Sequence, residues 1–208
     1  MIGWLRGAVP MDEVARLRAV MPSGAGARAG PDLADAIRNS ALVPAVRHVA
    51  PEHRPVRIVA FHKSSRAGEG RNWGLPWHQD RVIAVAGRED GAPVANWSCK
   101  AGTWHCEPGV DVLRSMLFVR LHLDGTTAAT GGMEYALPAP DGLVPSEGAT
   151  DRAEASEIRV EDADPGDALV LPMLTLHRSR PATVPARRRV IRVDFAAGAP
   201  PAPLRWVI

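Results

Sequence analysis

From Pro55 onward the chain is broken into short runs rich in β-branched and apolar residues: Val56–His62, Arg81–Ala86, Leu117–Leu123, Met133–Leu137, Ile158–Val160, Ala168–Leu171 and Arg189–Phe195. Turn-forming residues separate these runs, so each reads as a strand. No interval between them holds the 10–15-residue periodic helix that a βαβ crossover needs, which argues against a doubly wound parallel sheet. Seven short strands of this kind predict a mainly β chain, best closed as an antiparallel jelly roll. Ahead of them, Val14, Leu17 and Met21 form one helical stripe within Met11–Met21, and Leu33, Ala36 and Ile37 form another within Pro31–Val43. The intervening PSGAGARAG has the composition of a loop. Pro138–Asp164, with its Pro, Gly, Ser and acidic residues, reads as one long surface loop around the short Ile158–Val160 run. With 208 residues the chain fits one domain: a helical part at 1–54, a jelly-roll core at 55–197 and a tail at 198–208.

Charge and cysteine usage narrow the function classes. Lys and Arg number 25 against 23 Asp and Glu, a net charge of +2, and Arg187-Arg188-Arg189 is the one strong basic cluster. That balance argues against a nucleic-acid partner, whose phosphates demand an excess of cations. Cys99 and Cys106 cannot form a disulfide framework, the opening residues lack the apolar core of a signal peptide, and no run approaches the length that spans a bilayer. A cytoplasmic protein with a small-molecule partner and no membrane association is the expectation. The oligomeric state is left open by the sequence.

The chemistry concentrates in Trp73-Gly-Leu-Pro-Trp-His-Gln-Asp, where His78 and Asp80 stand two apart at what reads as the start of a strand. Side chains at i and i+2 share a strand face. An imidazole and a carboxylate projected together supply two ligands of the facial triad that holds non-heme Fe(II), and a second histidine must come from elsewhere. His177 fits, because it ends an apolar run that follows the Gly166-Asp167 turn. Such a triad leaves room for a bidentate 2-oxo acid and O2. The far carboxylate of 2-oxoglutarate then calls for an arginine, and Arg188 lies eleven residues beyond His177. Arg187 and Arg189 adjoin it. Alternation puts Arg188, Val190, Arg192 and Asp194 on one face and the more apolar Arg189, Ile191, Val193 and Phe195 on the other, so pattern alone would make the second face core.

Through WHQD, GDALVLPMLTLHRSRPAT and RRRVIRVDF the sequence resembles the phytanoyl-CoA dioxygenase-like Fe(II)/2-oxoglutarate oxygenases over roughly residues 55 to 197. FHKSS, NWGLPWHQD, WSCKAGTWHCEP and LRSMLFVRLHLD narrow the likeness to a compact bacterial branch. The resemblance implies a double-stranded β-helix of jelly-roll, cupin-like form, iron held by His78, Asp80 and His177, and the 2-oxoglutarate carboxylate held by Arg188. It also implies a cosubstrate contact for Ser179. Some oxygenases of related fold use a further arginine, here Arg192. The implied activity is hydroxylation of a small molecule with release of succinate and CO2, in specialised metabolism. Desaturation, epoxidation and cyclisation use the same cofactor chemistry, and a non-catalytic jelly-roll binding module is the alternative of another class. The intact Asp80 argues against halogenation, for which relatives replace this carboxylate by Gly or Ala. Gly131-Gly132 and Pro138-Ala-Pro-Asp depart from the family's pattern, so the resemblance leaves the substrate open.

Four residues are further candidates for substrate binding. Lys100 and His105 lie in the Trp97–His105 segment, which reads as a loop and which the resemblance implies lies over the iron, and Trp77 and Trp104, with Trp73, are expected to line the entrance. His122, on the polar side of Leu117–Asp124, is a candidate barrel-lining residue.

Overall fold

The computed structural model describes residues 3–22, 25–66 and 72–208, and the side chains of all of these except 25–28. The helical part contains β1 (Gly3–Leu5), α1 (Met11–Val20), β2 (Ala25–Arg28), α2 (Pro31–Arg38) and α3 (Leu42–Val49). The β-rich part follows with β3 (Arg54–Ser64), β4 (Leu75–His78), β5 (Ile83–Val85), β6 (Ala95–Lys100), β7 (Thr103–Glu107), α4 (Val110–Arg114), β8 (Met116–His122) and β9 (Met133–Leu137). A 3-10 turn at Ser146–Gly148 leads into α5 (Ala149–Glu154), and the chain ends with β10 (Glu157–Arg159), β11 (Ala168–Pro172), β12 (His177–Ser179) and β13 (Arg187–Ala196).

Three antiparallel sheets result, in the orders β1-β11-β8-β13-β3-β2, β10-β9-β12-β4 and β5-β7-β6. The first two make the jelly roll, a double-stranded β-helix. Period-2 alternation sorts its strands between two cores. Leu117, Val119 and Leu121 of β8, Val170 of β11, and Ile191, Val193 and Phe195 of β13 point outward, where Val14, Leu17, Leu33, Ile37 and Val46 of the helices cover them. Met116, Phe118, Leu169 and Leu171 point inward, against Met133 and Tyr135 of the second sheet. The apolar face of β13 is therefore core, as alternation requires. Its polar face is buried as well, because the second sheet lies over it.

Three local readings change. The predicted helix over Pro31–Val43 is two helices, because Asn39 and Ser40 bond back to carbonyls of α2: Asn39 Nδ2 donates to Asp35 O at 3.0 Å and Ser40 Oγ donates to Ile37 O at 2.8 Å. Within the predicted PSGAGARAG loop, Ala25–Arg28 pair with β3 as β2, while 23–24 lie outside the described residues. The predicted loop Pro138–Asp164 contains α5, whose Ala149 and Ala153 pack with Ala136, Leu176 and Trp77 on the outer face of the second sheet. Cys99 and Cys106 are free thiols, and no helix among the described residues is long and apolar enough to cross a membrane.

Candidate metal centre

His78 closes β4 and His177 opens β12, and the register of the pair places them directly opposite one another. Their ring centroids lie 4.4 Å apart. Asp80 follows two residues later, in the connection to β5, rather than on the strand face expected for it. The chain also turns between Leu171 and His177, with Thr175 N donating to Pro172 O at 3.0 Å. That turn carries it from the first sheet to the second, so His177 starts a new strand instead of ending the apolar one. The three residues still converge: one ligand atom from each of His78, Asp80 and His177 lies within 4.8 Å of the others. His177 Nε2 and Asp80 Oδ2 are 3.2 Å apart.

Both histidines are oriented by a backbone carbonyl two residues upstream, in β4 for His78 and in the turn before β12 for His177. His78 Nδ1 lies 2.8 Å from Pro76 O and His177 Nδ1 lies 2.9 Å from Thr175 O. A carbonyl only accepts, so each Nδ1 carries a proton, which leaves each Nε2 as the atom turned to the shared space to bind a metal. Burial, reinforced by the neighbouring His177, lowers the His78 pKa and favours the neutral ring that a metal requires. Burial works to raise the Asp80 carboxyl, but Arg192, followed by His177, outweighs it and holds the group well below the usual carboxylate range. Two imidazoles and one ionised carboxylate in this arrangement can hold a divalent transition metal.

Arg192 is the counter-charge of this centre. It donates to Asp80 Oδ2 and, through Nε, to Asp194 Oδ1 at 2.6 Å. Its guanidinium lies 4.8 Å from the Phe118 ring centroid. Asp194 also accepts from Arg57 at 3.1 Å. The residue expected to touch a cosubstrate is thus engaged in holding the Asp80 carboxylate.

The cavity beside the centre is walled by Phe61, Trp73, Leu75 and Met133 and also admits Arg120, Arg178, Ser179 and Arg188. Arg188 is 4% exposed, and among the described residues its Nε and one Nη have no hydrogen-bond partner, nor has Ser179 Oγ. Arg189 turns the other way into a bidentate pair with Asp124, at 2.7 and 2.8 Å. Of these two neighbours, Arg188 is the one that enters the cavity. Arg178 forms a pair with Glu134 at 2.7 Å and stacks over Trp77. Arg120 was not among the sequence candidates, although the alternation of β8 sets it opposite Leu117, Val119 and Leu121 and so marks it as inward-facing.

The four expected substrate residues are not in this cavity. Trp77 alternates with His78 on β4 and faces α5 instead. The Trp97–His105 segment is a hairpin of β6 and β7 that turns through Ala101 and Gly102, both at positive φ, and joins β5 in the third sheet. There Trp104 meets Trp97 edge-on with centroids 6.1 Å apart, Lys100 is exposed, and His105 is buried with Nδ1 2.9 Å from Thr103 O. His122 faces inward as expected, but it packs on Trp4 and lies 3.0 Å from Thr126 Oγ1. Trp73 does line the cavity.

No protein-family model matches the chain, and no curated protein matches it. Solved structures do. AviO1 from Streptomyces viridochromogenes Tue57 is similar at 17% identity and a TM-score of 0.62, covering 96% of this chain and 92% of its own. HygX from Streptomyces hygroscopicus, with nickel and 2-oxoglutarate bound, is similar at 16% identity and a TM-score of 0.56, covering 94% of this chain and 82% of its own. SnoK, a non-heme alpha ketoglutarate dependent carbocyclase from nogalamycin biosynthesis, is similar at 13% identity and a TM-score of 0.62, covering 94% of this chain and 79% of its own. At these identities the likeness establishes a shared fold.

Proposed function

We propose that this chain is a non-heme Fe(II)- and 2-oxoglutarate-dependent oxygenase of the phytanoyl-CoA dioxygenase-like kind, which hydroxylates a small molecule with release of succinate and CO2. The observation that carries the reading is the meeting, in one cavity, of the His78, Asp80 and His177 ligand atoms with the partnerless N–H groups of the buried Arg188. A metal alone would explain the first; a metal with an anionic chelator explains both. HygX, of the same fold, was solved with a metal and 2-oxoglutarate bound. Bound iron and 2-oxoglutarate would supply activation of O2 coupled to oxidative decarboxylation of the 2-oxo acid.

The chain's own residues would supply ligation and orientation. His78 and His177 present Nε2 because Pro76 O and Thr175 O hold their Nδ1 protons. Asp80 stays ionised because Arg192 faces it. Arg188 and Ser179 would hold a carboxylate away from the ligands, and Phe61, Trp73, Leu75 and Met133 line the space a substrate would enter. SnoK, a carbocyclase on this fold, favours one second reading at the same site, oxidative cyclisation. The two differ in product mass, since hydroxylation adds one oxygen atom and cyclisation removes two hydrogens. The site itself is tested by adding Fe(II) and 2-oxoglutarate anaerobically and recording the visible charge-transfer band of the chelate. A band in the native protein that is absent from His177→Ala supports the reading, and no band from folded, iron-loaded protein overturns it.

A further inference from the structure

Gln79 stands between two of the three ligands in Trp77-His-Gln-Asp, yet its side chain lies outside the cavity and is 6% exposed. It turns toward the segment that precedes α5, where Val144 packs on the cluster of Trp77, Ala136 and Leu176. Its Nε2 donates to Leu174 O at 2.6 Å and to Gly142 O at 3.0 Å, and its Oε1 accepts from Val144 N at 2.7 Å. Carbonyls only accept and a peptide N–H only donates, so these partners fix which end of the amide is which. Both ends are in use. Glutamate, of the same shape, would turn an acceptor toward two carbonyl oxygens, and an apolar side chain would leave three backbone groups without this partner.

His78 and His177 face each other across the β4–β12 pair, but that ladder is short: its paired positions are His177 with His78 and Ser179 with Leu75, and the register shifts between them. Asp80 lies beyond the end of β4, where no strand pairing among the described residues sets its distance from His177. Leu174 belongs to the turn that leads into His177, closed by Thr175 N and Thr175 Oγ on Pro172 O at 3.0 and 2.8 Å. The next carbonyl, Thr175 O, is the one that orients the His177 ring. Gln79 therefore joins the residue before Asp80 to the turn that aims His177, two segments 95 residues apart in sequence. Arg192 holds the Asp80 carboxylate from the cavity side by charge, and Gln79 holds its backbone from behind. We propose that Gln79 is a positioning residue of the metal centre, whose side-chain amide sets the placement of Asp80 relative to His177 by tying their two segments together. This extends the oxygenase reading and rests on His78, Asp80 and His177 being its metal ligands. Ligand atoms hold a metal well only when the groups behind them keep them in place. Without the tie, the turn before His177 keeps its own closure and Asp80 keeps Arg192, so both segments stay folded while their relative placement loosens.

The test titrates metal-free protein with Co(II), whose visible d–d bands report the arrangement of its ligand atoms, and records thermal unfolding of the same metal-free samples. Gln79→Met is expected to weaken Co(II) binding roughly tenfold to hundredfold, as for loss of an outer partner of a metal ligand, and to shift the bands. Arg81 supplies the control, because it donates to Val144 O and so holds the same outer segment without reaching Leu174. Arg81→Met is expected to keep near-native affinity and native bands. If Gln79→Met does not fold, Gln79→Asn, with the same amide on a shorter stem, takes its place with the same expected outcome. Native affinity and native bands in a folded Gln79 variant would overturn the proposal even if its unfolding temperature falls, since a merely structural role moves the temperature and not the bands. Equal weakening by Arg81→Met would overturn it as well, because the outer segment and not the tie to Leu174 would then be the cause. A folded native protein that takes up no Co(II) refutes the metal-centre reading itself. A native site whose bands are indifferent to Gln79 refutes the positioning role alone.

Discussion

Replacing Arg192 by methionine tests whether the metal centre is held together by its counter-charge. In the native protein Arg192 joins two carboxylates, donating to Asp194 at 2.6 Å and to Asp80, and it covers the Phe118 ring. Methionine keeps much of the apolar stem but returns neither hydrogen bond. Asp194, 1% exposed on its side chain, would keep Arg57 at 3.1 Å, and Asp80, 18% exposed, would be left with the two histidines of the cluster. Removing one partner of a buried ion pair costs about 3–5 kcal/mol, chiefly because the other is left buried and uncompensated. For a chain of this length each kcal/mol lowers Tm by roughly 2–4 °C, so a fall of roughly 6–20 °C is expected in a calorimetric scan of metal-free protein. The loss has a pH signature. Asp80 has a folded pKa held below its unfolded value of about 3.9, so the stability it contributes is present above that value and disappears as pH falls through the lower folded one. The gap between native and Arg192→Met should therefore narrow below about pH 4. Iron affinity should drop roughly tenfold to hundredfold, as when an outer partner of a metal ligand is removed. A Tm change under about 2 °C at neutral pH, with unchanged iron affinity, would refute the idea that Arg192 holds the centre.

Two further substitutions separate structural from cavity roles. Trp77→Ala opens the layer that Ala149 and Ala153 of α5 form on the second sheet and is expected to cost about 3–5 kcal/mol by denaturant unfolding. Its 2-oxoglutarate affinity should stay near native; a weakened affinity at unchanged stability would return Trp77 to the site. Asp124→Asn removes the charge that receives the Arg189 fork and is expected to cost about 1–3 kcal/mol at pH 7. Burial works to raise the Asp124 pKa, but the Arg189 hydrogen bonds lower it overall, so its contribution is present above about pH 3.9 and lost at lower pH. A destabilisation of equal size at pH 7 and pH 3 would mean that shape, not charge, is the cause.

What was legible in the sequence was whatever a short window encodes. Met133–Leu137 carries its full strand signal in five residues, and the alternation of Leu117–Leu123 sorts β8 between the outer and inner cores. The His78, Asp80 and His177 set was legible because ligand type and order survive any change in the connecting backbone. Its local geometry was not: no window shows that the chain changes sheets after Pro172, so that His177 meets His78 across a strand pair. The same limit explains α5. Six residues with only alanines to bury give no helical stripe, and the helix exists because the outer face of β4 and β9 needs a thin cover. It explains Trp77 too, since which side of β4 faces the cavity is decided by its partners and not by the tryptophan. Arg120 is the instructive omission. An arginine at the centre of an apolar strand, on the face opposite three core residues, is costly in any jelly roll unless something anionic meets it. What LFVRLH does show is a charge within an alternation of core residues, which marks Arg120 as inward-facing before any partner strand is known.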